Sequence, residues 1–105
     1  GSKIVLYGAG KVGQDYYLHI KRYGENTLVG WVDKSYEKYQ ASGLPVQPVK
    51  LLETAEYDYV ILGIKNEEIA AEIRDELEAM GVERERILWN RTKRIWEQDL
   101  KSPGI

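Results

Sequence analysis

Short apolar runs alternate along the chain with longer amphipathic stretches. Residues 3–7 (KIVLY) are apolar after the lysine and end at Gly8. An unbroken run of that length predicts a strand buried on both faces. Val12, Tyr16, Ile20 and Tyr23 recur at helical spacing, and Gly24 stands where a left-handed glycine would stop the helix. Residues 27–32 (TLVGWV) form a second strand ending at Asp33, and residues 34–43 read as a polar, tyrosine-rich loop. Pro45 and Pro48 favour a short extended piece at 46–47. One or two helical turns follow at 49–53. Residues 57–64 (YDYVILGI) are the most apolar strand. Asn66 can cap the next helix, with Glu67 and Glu68 in its first turn. Ile69, Ile73, Leu77 and Met80 would form that helix's buried stripe, ended by Gly81. A last short strand is expected at 86–89 and a terminal helix at 91–100, with Pro103 and Gly104 frayed.

Strands alternating with helices predict an α/β fold with a parallel sheet and right-handed crossovers. The expectation is a three-layer Rossmann-like domain with a central parallel sheet of four to five strands, order 3-2-1-4-5. The strand at 4–7 would stand in the centre, with 28–32 on one side and 58–63 on the other. The 46–47 piece would lie outside 28–32, and 86–89 outside 58–63. Residues 1–105 read as a single domain excised from a longer protein. Gly1 and Ser2 would be a tag remnant, and residues 90–105 a C-terminal extension.

A chain of 105 residues supports one core and one domain. The net charge of −2 gives no reason to expect nucleic acid as a partner. The chain contains no cysteine, which excludes disulfides, thiolate catalysis and cysteine-held metals and fits a cytoplasmic setting. No apolar run approaches the roughly 20 residues of a membrane span, and no secretory signal is visible.

The chemistry concentrates in Gly8-Ala9-Gly10-Lys11-Val12-Gly13, a GxGxxG turn with a strand before it and a helix after it. Gly8 would permit the tight turn, Gly10 the approach of a pyrophosphate to the backbone, and Gly13 the packing of helix on strand. The helix N-terminus offers N–H groups and partial positive charge to an anion. Asp33 ends the second strand 20 residues beyond Gly13, where a carboxylate accepts hydrogen bonds from a ribose. Lys34 follows directly, and beside that carboxylate a ribose without a 2′-phosphate is favoured. Gly63 and Lys65 belong to a second loop over the same crevice, where Lys65 could reach a phosphate or carboxylate. The bland alternative is that the glycines serve only packing and the charged groups are solvated. Tyr36 and Tyr39 lie where a base would stack, or are incidental aromatics. His19, the single histidine, is read as structural. Tyr17/Lys21 and Tyr7/Lys11 have the Tyr-x-x-x-Lys spacing but the wrong places, so no catalytic set is assigned. Arg84, Arg86, Arg91, Lys93 and Arg94, with Trp89 and Trp96, form a solvated basic segment or a docking surface.

Over about residues 3–89 the segments KIVLYGAGKVG, LVGWVDKS, GLPVQPVKLL and YDYVILGIKNEEIAAEI resemble the small Rossmann-like domains of bacterial surface-polysaccharide enzymes. These include the N-terminal domain of nucleotide-sugar acyltransferases and domains appended to glycosyltransferases and epimerases. The resemblance implies a nucleotide- or nucleotide-sugar-binding module, with NAD or a UDP-sugar as ligand and contacts at Gly8, Gly10, Gly13 and Asp33. Catalysis would reside in an adjacent domain. The histidine that acyltransferases often carry in the turn is replaced by Lys11-Val12, which favours the appended form. Two alternatives stand beside it: a fragment of an NAD-dependent oxidoreductase or epimerase, and a ligand-free docking or homodimerisation scaffold.

Overall fold

A computed structural model describes residues 1–89. The expected terminal helix at 91–100, the Pro103-Gly104 end, Arg91, Lys93, Arg94 and Trp96 lie outside the described residues. In chain order the elements are β1 (Lys3–Tyr7), α1 (Lys11–Tyr23), β2 (Thr27–Val32), α2 (Tyr36–Ala41), a 3-10 segment (Val49–Glu53), β3 (Tyr59–Leu62), α3 (Glu67–Ala79), a second 3-10 segment (Arg84–Arg86) and β4 (Ile87–Leu88). The fold is α/β. Four parallel strands form one sheet in the order β2-β1-β3-β4. Tyr7 stands level with Val32 on one side and Leu62 on the other, so the three strands that bear the site end together.

The sheet has four of the expected four to five strands, and the expected order 3-2-1-4-5 is corrected to β2-β1-β3-β4. The piece at 46–47 contributes only a single parallel bridge, Val32 to Gln47, on the outer edge of β2. Its two residues stand between prolines that can donate nothing to a ladder. The expected loop at 34–43 is also corrected, since it contains α2. Tyr36 and Tyr39 stand one helical turn apart and are its half-buried residues. A single turn of apolar spacing in a polar segment is too short a signal to read as a helix.

Side chains of successive strand residues enter opposite cores, as the pleat requires. Ile4, Leu6, Trp31 and Ile61 join Ala9, Tyr16 and Val46 in one cluster, against which Val12, Tyr17 and Ile20 of α1 and both tyrosines of α2 pack. Val5, Tyr7, Val32, Val60, Leu62 and Ile87 join Ala70, Ile73 and Leu77 of α3 in the other. β1 is therefore covered on both faces, the physical reason for its unbroken apolar sequence.

Two helix stripes differ from expectation. On α3 the buried residues are Ala70, Ile73 and Leu77, while Ile69 and Met80 are 46% and 37% exposed. The helix is rolled so that small Ala70 faces the sheet. On α1, Tyr23 is 48% exposed and its ring lies 4.5 Å from that of His19 on the same helix. The caps agree with the sequence reading: Gly24 is left-handed with φ 66°, and the Asn66 side chain accepts the Ile69 N–H at 3.0 Å.

Candidate functional site

The turn between β1 and α1 is fastened on every side by the protein's own groups. Gly8 N–H donates to the Val32 carbonyl at 2.8 Å, and the buried Trp31 Nε1–H donates to the Gly8 carbonyl at 2.6 Å. Gln14 Nε2 donates to the Ala9 carbonyl at 2.9 Å, and Gln14 N–H to the Gly10 carbonyl at 2.8 Å. The turn's carbonyls are thus satisfied from within.

The three glycines of the motif have different reasons to lack a side chain. Gly8 has φ 116°, in the region that favours glycine, and a Cβ on it would stand 2.8 Å from the Gly63 carbonyl oxygen. A Cβ on Gly13 would stand 1.9 Å from the Gly8 carbonyl oxygen, which no packing tolerates. Gly10 is exposed, its φ is −75°, and a Cβ there would meet nothing within 4 Å. The fold therefore demands glycine at 8 and 13 but not at 10.

Gly10 is also the N-cap of α1. No side chain caps that end and no acidic residue stands in its first turn. The first-turn N–H groups of any α-helix lack intrahelical acceptors and carry partial positive charge. The start of α3 is built in the opposite way, with Asn66 capping it and Glu67 and Glu68 in its first turn.

Asp33 faces the turn. Its Oδ2 accepts the Ala9 N–H at 2.9 Å, and its Oδ1 accepts the Ser35 N–H at 2.7 Å. Each oxygen keeps lone-pair capacity for a further donor. Lys34 is engaged elsewhere: its Nζ lies 2.6 Å from one carboxylate oxygen of Glu76 and 2.9 Å from the other, in an exposed pair. Lys11 and Lys65 are exposed, and neither forms an ion pair among the described residues. Ala9 is buried in the core, and Val12 is half-buried against it. Gly63 is occupied by packing, since a Cβ there would stand 2.9 Å from Gly13 Cα. Tyr7, at the end of β1, is 3% exposed; burial first, and then the charges of Glu76 and Asp33, push its phenol up to about 12.

The structure thus brings Gly8, Ala9, Gly10, Gly13 and Asp33 together and ties Lys34 to α3. Tyr36 and Tyr39, read as either a base platform or incidental aromatics, are half-buried on α2 and pack on the core, and Lys38 Nζ lies over the Tyr39 ring at 5.4 Å. Trp89, read as part of a solvated basic segment or a docking surface, packs against the α3-side core and donates Nε1–H to the Ile64 carbonyl at 2.7 Å. Sequence reasoning missed Gln14 and the indole donors of Trp31 and Trp89. The bonds that identify the two indoles run across the fold, and that of Gln14 depends on how the turn folds back over the start of α1.

An open hollow of about 700 Å³ lies at the opposite, N-terminal end of the strands, lined by Ser2, Asp58, Glu83 and Arg86 among others. Arg86 is consumed there by the Tyr57 and Asp58 carbonyls and by the Tyr57 ring, 4.7 Å away. Among the described residues no helix is long and apolar enough to cross a membrane. No curated protein matches the chain. The family described as C2185-like, N-terminal, matches residues 1–88.

Proposed function

The chain belongs to the C2185-like, N-terminal family, and we propose that it is a nucleotide- or nucleotide-sugar-binding module, built as a three-layer Rossmann-like domain. The observation that carries this reading is Gly10. It is the one glycine of the turn whose bareness the fold does not require, and it is the N-cap of a helix that has no side-chain cap and no acidic residue in its own first turn. A phosphate seated there would take first-turn N–H groups of α1, with no side chain of residue 10 in its way. Asp33, held toward the turn by the Ala9 N–H, would accept from a ribose hydroxyl. Its charge, with Lys34 drawn away to Glu76, disfavours a 2′-phosphate. The wider setting we propose is a surface-polysaccharide protein whose catalysis lies outside residues 1–89. It draws on the resemblance that includes the Gly43-Leu44-Pro45-Val46 segment.

One observation favours a second reading, a ligand-free scaffold. Both Asp33 oxygens already serve the protein's own backbone, as a purely architectural carboxylate would. Thermal shift separates the two. NAD, NADP and UDP-glucose are added in turn, and a ligand at ~100 Kd stabilises by roughly 2.7 kcal/mol. NAD or UDP-glucose is expected to raise Tm, and NADP to do so less than NAD. Gly10→Val should keep the fold and abolish the shift. Absence of any shift in the wild type, or an unchanged shift in Gly10→Val, overturns the binding reading.

A further inference from the structure

Two tryptophans fasten the two turns at the C-terminal ends of the strands. Trp31 donates Nε1–H to the Gly8 carbonyl at 2.6 Å, and Trp89 donates Nε1–H to the Ile64 carbonyl at 2.7 Å. They belong to opposite core clusters. Between them the turns touch backbone to backbone. Gly63 N–H donates to the Tyr7 carbonyl at 2.8 Å, and a Cβ on Gly8 would stand 2.8 Å from the Gly63 carbonyl oxygen.

A trans peptide is planar, with its C=O and N–H pointing in opposite directions. Fixing a carbonyl therefore fixes the direction of the next residue's N–H. At the first turn, Trp31 holds the Gly8 carbonyl and the N–H of the same peptide, that of Ala9, meets Asp33 Oδ2 at 2.9 Å. At the second turn, Trp89 holds the Ile64 carbonyl, so the N–H of Lys65 is aimed away from the indole. That N–H has no acceptor among the described residues. It belongs to the residue whose exposed ammonium also lacks an ion pair there.

We infer that Trp89 is a positioning residue that holds the Lys65 main-chain N–H as a second anion donor beside the glycine turn, through the Ile64–Lys65 peptide. This rests on the binding reading above and adds to it. The ligand's phosphate chain touches two turns, not one. The indole also keeps the Ile64 carbonyl oxygen, which would repel an anion, bound on the far side.

The test is a titration of the protein with inorganic pyrophosphate, followed through backbone amide resonances. In the wild type the Lys65 amide is expected to shift in step with those of Lys11, Val12 and Gly13. In Lys65→Ala, which removes the ammonium but keeps the N–H, the amide of residue 65 should still respond. In Trp89→Phe, which keeps the ring and loses the donor, the Lys65 response should vanish and pyrophosphate should bind about tenfold more weakly. Shifts at 11–13 with a silent Lys65 amide in the wild type overturn the inference while leaving the binding reading intact. So does a Trp89→Phe variant that binds and responds like the wild type. If Trp89→Phe does not fold, the wild type and Lys65→Ala decide alone. If no amide at 11–13 moves, the binding reading has failed and this inference fails with it.

Discussion

The indole N–H of Trp31 reaches the carbonyl of Gly8 at 2.6 Å, inside the core and across the boundary between β2 and the turn that follows β1. The bond links the most buried aromatic residue of the sheet to the first glycine of the motif. It removes from the turn an oxygen that would otherwise be buried without a donor.

Trp31→Phe keeps most of the ring's packing against Tyr17, whose ring is stacked 4.3 Å away, and leaves the Gly8 carbonyl unsatisfied. The expected cost is about 1 to 3 kcal/mol, read as a lower urea midpoint at unchanged slope. A loss under about 0.5 kcal/mol would mean that water takes over the carbonyl.

Gly13→Ala should be among the most damaging small substitutions in the chain, because its methyl would stand 1.9 Å from the Gly8 oxygen. A loss of about 3 kcal/mol or more is expected. Gly10→Ala meets nothing and has an ordinary φ, so it should stay within about 1 kcal/mol of the wild type. Equal losses at the two positions in chemical denaturation would refute the division of roles between these glycines.

The roll of α3 gives a paired prediction. Ile73→Ala removes a side chain that is 6% exposed and should cost about 2 to 5 kcal/mol, whereas Ile69→Ala, at a 46% exposed position, should cost no more than about 0.5. Comparable denaturation midpoints for the two variants would place the helix in the other rotation.

Tyr7 makes stability depend on alkaline pH. Its folded pKa of about 12 lies above the ordinary phenol value of 10.0 because burial, then the Glu76 and Asp33 charges, disfavour the phenolate. The folded chain therefore holds this proton more tightly than the unfolded chain. That contribution is complete below about pH 10 and is lost as the pH rises towards 12. Across the window it amounts to roughly 2 kcal/mol. The urea midpoint of the wild type should fall between pH 9 and 11.5 by more than that of Tyr7→Phe. Parallel curves for the two proteins would contradict it.

Much of this architecture is legible along the chain because it depends on local chemistry. The run Ile4-Val5-Leu6-Tyr7 can only be a strand covered on both faces, and Asn66 with two glutamates after it announces a helix start. Gly8 as the glycine of the tight turn and Gly13 as the packing glycine are readable, since their spacing follows from how a helix leaves a strand. What escaped reading depends on distance or on small energy differences. α2 offers only Tyr36 and Tyr39 as apolar signal. Choosing Ala70 over Ile69 as a core residue requires knowing how close α3 lies to the sheet. The engagement of Lys34 by Glu76 spans 42 positions, and the bond from Trp89 to Ile64 spans 25. No pattern within either segment encodes them.

The interlocked backbones at Gly8, Gly13 and Gly63 bear on how this domain's relatives should be compared. A lineage that had abandoned its ligand altogether would still have to keep those three glycines, because they hold the polypeptide's own crossing point together. Retention of the motif's outline is thus silent about biochemistry. On the proposed binding reading, drift at position 10 into bulky residues would mark descendants in which the turn no longer holds a phosphate.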